Sequence, residues 1–192
     1  MFENSLETYF KVATWSSPIV VIFLLILSAF FSGSETALTA SSRPKLRSMS
    51  DRGSVGAKKA LDITNDNESL IGTILLGNNI VNILATSLAT AYFVKLFGDK
   101  GIFLATFCMT VLILVFSELL PKTYAINNPE TAARRVAPLV LFFIYIFSPI
   151  IIFVRKFVQF LLSLIGLKID PSKQILASDE IAGAIALHHS EG

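Results

Sequence analysis

Four apolar stretches stand out along the chain, at 18–40, 69–94, 101–120 and 136–167, separated by short segments carrying charge, proline or glycine. A helix needs about 20 residues to cross ~30 Å of hydrocarbon, so the first three stretches predict membrane spans. The fourth predicts something different. Pro138 and Pro149 each remove a helix hydrogen bond, and Arg155 with Lys156 divides the run into 136–154 and 157–167. Charge in mid-span is costly in lipid, so this pattern predicts a helix-turn-helix at one membrane face, hinged near "SPII". Residues 1–167 then form the membrane domain. Residues 168–192 predict a cytosolic linker and the start of an amphipathic helix, with Ser178 as its cap and Asp179 and Glu180 in its first turn. The abrupt stop of that helix predicts a further cytosolic part.

Composition supports a membrane protein. Of 192 residues, 53% are hydrophobic and only 16% charged, and the mean hydropathy is +0.67, beyond what a soluble domain of this size tolerates. A formal net charge of +2, scattered beside the apolar runs, excludes a nucleic-acid reading. Placement of the basic residues predicts orientation instead. Residues 41–68 hold Arg43, Lys45, Arg47, Arg52, Lys58 and Lys59, whereas the N-terminal tail has only Lys11. The first loop is therefore expected in the cytoplasm and the N-terminus outside, and three crossings return the chain to the cytoplasm at "PKTYAINNPETAARR". The C-terminus is expected on the same side. The N-terminus lacks the basic start of a signal peptide, so the first run is read as a retained span. The single cysteine, Cys108, forms no intramolecular disulfide and reads as a packing residue; His188 and His189, adjacent near the end, read as a solvated tail.

Polar residues inside the apolar runs carry the candidate chemistry. At ~100° per residue, Ser28, Ser32, Glu35 and Thr39 share a stripe about 60° wide on the first span, with Ser34 pointing elsewhere. Asn78, Asn79 and Asn82 fall within an arc of about 100° on the second, and Ser117 and Glu118 lie just before Pro121 on the third. Amides and carboxylates in hydrocarbon need a partner or a wet cavity, so three spans presenting oxygens imply a shared interior site. Hydroxyl, amide and carboxylate oxygens are hard ligands that suit Mg²⁺, Ca²⁺ or Na⁺, and the shortage of histidine and cysteine speaks against zinc or copper. Gly33 and Gly77 permit local unwinding that would turn backbone carbonyls toward an ion. Two plainer readings stand beside this one: the serines pack helices together, and Glu35 pairs at the rim with Arg43 or Lys45. No nucleophile, base and orienting group occur together, which argues against an enzyme.

"FSGSETALTA", "GNNIVNILATS" and "SELLPKTYAINNPE", in this order and with a basic loop between the first two, resemble the transmembrane domain of the CorC/cyclin M (CNNM) family of magnesium transporters, in its bacterial CorC branch. The likeness covers about residues 15–185. It implies an all-α membrane protein of the bacterial inner membrane: a homodimer with three transmembrane helices per subunit, a juxtamembrane helical belt that the 136–167 segment matches, and cytosolic CBS modules after the membrane domain. It also implies a dehydrated Mg²⁺ held between the spans, with export coupled to Na⁺. Carried onto this chain, the implied metal positions are Ser28, Ser32, Gly33, Asn78, Asn79, Asn82 and Glu118. An alternative of another class remains open, a membrane-embedded Mg²⁺ sensor or scaffold that regulates other transporters without conducting.

Overall fold

A computed structural model describes the backbone of residues 2–165 and the side chains of residues 18–165. The expected linker, the Ser178-capped helix and both histidines lie outside the described residues. All regular structure described is helical: α1 (Phe2–Ala40), α2 (Arg43–Asp51), α3 (Val55–Asn65), α4 (Asn67–Phe97), α5 (Lys100–Leu112), a π-helical segment (Ile113–Leu119), α6 (Leu120–Asn127) and α7 (Pro129–Leu164). Four stretches are long and apolar enough to cross a membrane: Pro18–Ala40, Asn67–Phe97, Lys100–Asn127 and Pro129–Leu164. Their outward faces carry large side chains such as Phe23, Ile26, Phe103 and Phe107, each more than half exposed. In water that surface would be prohibitive; against acyl chains it is neutral.

The chain divides into two compact units, Met1–Ser148 and Pro149–Gly192. In the first, α1 and α4 run antiparallel. Ser28 meets Asn78, the Phe31 ring lies over Gly77, and Val21 packs with Ala85 and Ala89. A stripe of Leu70, Thr73, Ile74, Gly77, Val81, Ala85 and Ala89 is the buried face of α4. The small residues let the two backbones approach closely, which is what holds helices together where lipid removes the hydrophobic driving force. Gly101 performs the same service for α5, because a Cβ there would collide with the Phe93 carbonyl of α4.

Helices α2 and α3 form a hairpin turned at Gly53, whose φ of 89° favours glycine. Ser54 caps α3 by accepting from the Ala57 N–H at 3.3 Å. Buried Leu46, Ala57, Ala60 and Ile63 seat the hairpin against Ala132, Ala133, Ala137 and Val140 of α7, and Lys45 pairs with Glu130 at 3.1 Å. Helix α7 then packs beside α1, where Phe143 and Phe31 lie 4.8 Å apart between ring centroids.

Two expectations are corrected here. The 136–167 stretch is not a hinged helix-turn-helix: α7 is helical from Pro129 to Leu164, through Pro138 and Pro149, and candidate spans number four rather than three. Proline inside a membrane helix is tolerated when neighbours cover the freed carbonyl. Pro138 has no N–H for the Arg134 carbonyl four residues earlier, and Gly56 of α3 sits against that carbonyl so closely that a Cβ would overlap its oxygen. Gly56→Ala should therefore force α3 away from α7 and cost about 1–3 kcal/mol, read as a lower melting temperature in detergent. An unchanged melting curve would contradict this packing. Second, neither Gly33 nor Gly77 unwinds, since both lie within continuous helix.

Candidate cation site between the membrane helices

The first span and the second meet through polar atoms. Ser28 is fully buried, and its hydroxyl donates to Asn78 Oδ1 at 2.8 Å. Asn82, one turn along α4, donates to the same oxygen through Nδ2 at a longer 3.4 Å. Two donors thus converge on one amide oxygen, while Asn82 Oδ1 is buried without a hydrogen-bond partner. One turn from Ser28 on α1, Ser32 Oγ is buried and likewise unpartnered. Each orphaned oxygen in a low-dielectric interior costs about 1–3 kcal/mol unless something occupies it. The set is made of neutral hard oxygens, with lone pairs to spare.

The third candidate span approaches α1 through its π-helical turn. Pro121 cannot donate to the Ser117 carbonyl, and its ring crowds that group, so the chain widens ahead of it: the Leu120 N–H bonds Val115 O, five residues back. This widening orients Ser117 inward. Ser117 is fully buried, and its hydroxyl donates to the Leu25 carbonyl of α1 at 3.0 Å, one turn before Ser28. Glu118 follows it, half-buried. Farther along, Gly33 faces Pro121, and a Cβ at Gly33 would lie 3.2 Å from Pro121 Cβ. Gly33 is thus the point of close approach between α1 and α6.

The sequence-predicted residues are not all gathered together. Ser28, Asn78 and Asn82 are joined by hydrogen bonds, and Ser32 shares the buried α1 stripe with Ser28. Asn79, in contrast, is exposed on the outside of α4. Glu35 pairs with neither Arg43 nor Lys45; Lys122 of α6 approaches it at 3.6 Å. Both members of that pair are 43% exposed, and a screened pair of this kind is worth about 0–1 kcal/mol. Glu35→Gln should accordingly shift thermal stability by no more than about 1 kcal/mol; a larger loss in a melting experiment would assign the carboxylate a different role. Two buried oxygens were missed by the sequence reading as site features: Ser34, whose Oγ is unpartnered beside a cavity of about 180 Å³ at Gly33 and Pro121, and Thr73, fully buried with an unpartnered Oγ1. A signal for Thr73 was available in its position four residues before Gly77, on the same small-residue stripe.

Among the described residues no three His, Cys, Asp or Glu side chains cluster in a way that could hold a metal ion. Any cation bound between the spans would be held chiefly by hydroxyl and amide oxygens.

Comparison with known proteins is consistent with this architecture. The chain is 38% identical over 168 residues to a UPF0053 protein of Haemophilus influenzae, covering 88% of this chain and 40% of that protein. It is 37% identical over 144 residues to the UPF0053 inner membrane protein YfjD of Escherichia coli, covering 75% of this chain and 34% of the relative. A polyamine export protein of Escherichia coli is 27% identical over 189 residues, covering 89% and 42%. The chain spans less than half the length of each of these relatives. The cyclin M transmembrane N-terminal domain matches residues 19–192, and the chain, a multi-pass membrane protein by its apolar helices, belongs to that family.

Proposed function

We propose that the chain carries Mg²⁺ across the bacterial inner membrane, as export coupled to Na⁺, through a dehydrated site between α1, α4 and the π-helical segment. The observation that carries this reading is the Ser28–Asn78–Asn82 constellation inside two apolar helices, with the neighbouring oxygens of Ser32 and Asn82 left without partners. The two donors point positive charge at Asn78 Oδ1. A cation bound here would displace them, and Ser28, Ser32, Asn78, Asn82 and the Glu118 carboxylate would be its ligands. Mg²⁺ gives up its waters reluctantly, so a site must replace them with several oxygens yet hold the ion weakly enough to release it. Neutral oxygens with one carboxylate meet that compromise.

The working unit is a homodimer, which supports the site by covering what one subunit leaves open. Asn79 places an amide on the outer face of α4, where lipid offers no hydrogen bond and a second copy does. We place residues 41–68 and the C-terminus in the cytoplasm, the N-terminus outside, and CBS modules after the membrane domain; this requires that α7, although long and apolar enough to cross, stay on the cytoplasmic side. A cysteine introduced at Ser172, in a Cys108→Ser background, should be unreactive to an impermeant label added outside intact cells. Labelling from outside would mean that α7 crosses.

One relative favours a different cargo, since the polyamine export protein of Escherichia coli aligns along 189 residues. A polyamine is a linear polycation that needs several spaced carboxylates, whereas α1, α4 and the π-helical segment offer only Glu35 and Glu118 within their apolar stretches, Glu35 already paired. Flux into proteoliposomes containing only this protein decides between these readings. Mg²⁺ movement that follows a Na⁺ gradient and reverses with its sign is the expected result. Spermidine movement without Mg²⁺ would replace the cargo, and Mg²⁺ binding without movement of either would make the protein a sensor.

A further inference from the structure

The α2–α3 hairpin encloses an open cavity of about 610 Å³, within the ~300–1,000 Å³ of typical ligand sites. Its walls carry Arg43, Arg47, Ser50, Asp51, Asp62 and Asn65. We propose that this cavity binds the headgroup of a zwitterionic phospholipid bearing a primary ammonium, of the phosphoethanolamine type. The proposal is independent of the transport reading.

Position is the first argument. Arg43 follows the end of α1 at Ala40 by three residues, and Asn65 precedes the start of α4 at Asn67 by two. The cavity therefore opens where two apolar helices leave the hydrocarbon, at headgroup depth.

Charge is the second. The walls hold two guanidinium groups and two carboxylates, and neither aspartate forms an ion pair with either arginine. The charges are held apart, available to a dipolar guest, rather than cancelled against each other. Arg43 is fixed across the hairpin by donating through Nη2 to the Thr64 carbonyl at 2.6 Å, which leaves its other N–H groups for a phosphate, beside Arg47 one turn later. Asp51 and Asp62, with Ser50 and Asn65, provide acceptors for an ammonium. A purely anionic headgroup would meet two carboxylates as well as two arginines. A quaternary ammonium would lack N–H donors and would call for an aromatic cage, and no aromatic residue lines the cavity.

The hairpin does not depend on Arg47 or Asp62 for folding. Leu46, Ala57, Ala60 and Ile63 form its buried seam, whereas Arg47 and Asp62 are exposed.

The test uses the whole chain in detergent micelles titrated with short-chain phosphatidylethanolamine, phosphatidylglycerol or phosphatidylcholine, or with free phosphoethanolamine, and reads melting temperature with lipid adducts by native mass spectrometry. Phosphatidylethanolamine should give a saturable rise in melting temperature, with half-saturation at least about tenfold below that of the other two lipids and of the free compound. Arg47→Gln and Asp62→Asn should each weaken that response about tenfold, and Asp62→Asn should also narrow the preference over phosphatidylglycerol. Lys58→Gln, outside the cavity, should change nothing. Equal responses to phosphatidylethanolamine and either other lipid would overturn the headgroup assignment. An equal response to free phosphoethanolamine would overturn the lipid source, and wild-type titrations from both variants would overturn the site. The comparison among headgroups on the wild-type protein stands even where a variant fails to fold.

Discussion

Asn78→Ala should lower Mg²⁺ affinity at least about tenfold, equivalent to roughly 1.4 kcal/mol, while the protein remains folded. Asn78 Oδ1 is the oxygen on which both the Ser28 hydroxyl and the Asn82 amide converge. Removing it takes away a proposed ligand and also releases the two groups that it holds in register. The stability cost is the smaller effect. Leaving the Ser28 hydroxyl fully buried without a partner would cost about 1–3 kcal/mol in a soluble core, but polar contacts between membrane helices average nearer ~0.6 kcal/mol, because the unfolded helices also find partners in the bilayer. A loss of about 1 kcal/mol without Mg²⁺ is therefore expected, alongside the at least about tenfold weaker Mg²⁺ response. A variant that melts lower yet keeps the wild-type Mg²⁺ dependence would reduce Asn78 to a packing contact. Ser28→Ala with Asn78→Ala, compared with each alone, measures how far the two side chains act as one unit.

Gly77→Val should open the seam between α1 and α4 and strongly destabilise the fold. A Cβ at Gly77 would lie 2.5 Å from Phe31 Cζ and 2.6 Å from its Cε1. The ring has nowhere to go: Phe31 is 1% exposed and is flanked by Phe30 at 5.5 Å and Phe143 at 4.8 Å between centroids. The strain must be relieved by opening α1 from α4, at a cost of about 3 kcal/mol or more. Opening there also parts Ser28 from Asn78, since the two pairs are adjacent along the same seam. Stability and cation binding should fall together. Shrinking the ring with Phe31→Leu should restore part of both in a Gly77→Ala background; absence of rescue would show that the seam is not set by this contact.

The helices were legible because hydrophobic run length answers directly to bilayer thickness. The first span was read at 18–40 and runs at Pro18–Ala40, and the second was read at 69–94 and extends over Asn67–Phe97. The fourth was misread because proline was weighed as it acts in water. At Pro138 a glycine some eighty residues earlier packs against the freed Arg134 carbonyl, and no local pattern announces such a neighbour. The π-helical turn was hidden for a related reason. Its cause, Pro121, was visible, but the response was a widened turn rather than a break, and that widening determines which of Ser117 and Glu118 faces α1. Stripe geometry placed Ser28, Asn78 and Asn82 on faces that meet between α1 and α4, because spacing fixes their faces once the helix is regular. Asn79, one residue along, is exposed on the outer face of α4, and Thr73 reads as filler until the partner helix is present. The glycines were read for flexibility and instead provide clearance, for a ring at Gly77 and for a proline at Gly33.

The central claim is that oxygens between these helices hold Mg²⁺ as cargo, and a Mg²⁺ titration of melting temperature for wild type, Asn82→Ala and Glu118→Gln tests it most directly. Asn82→Ala removes an amide whose oxygen is buried without a partner, and Glu118→Gln deletes a charge while keeping its shape. Mg²⁺ should raise the wild-type melting temperature in a saturable way. Both variants should need about tenfold more Mg²⁺ for the same rise, with melting temperatures close to wild type in its absence. An unchanged Mg²⁺ response in both variants, with only the cation-free stability altered, would contradict the account and leave these residues as polar contacts between helices.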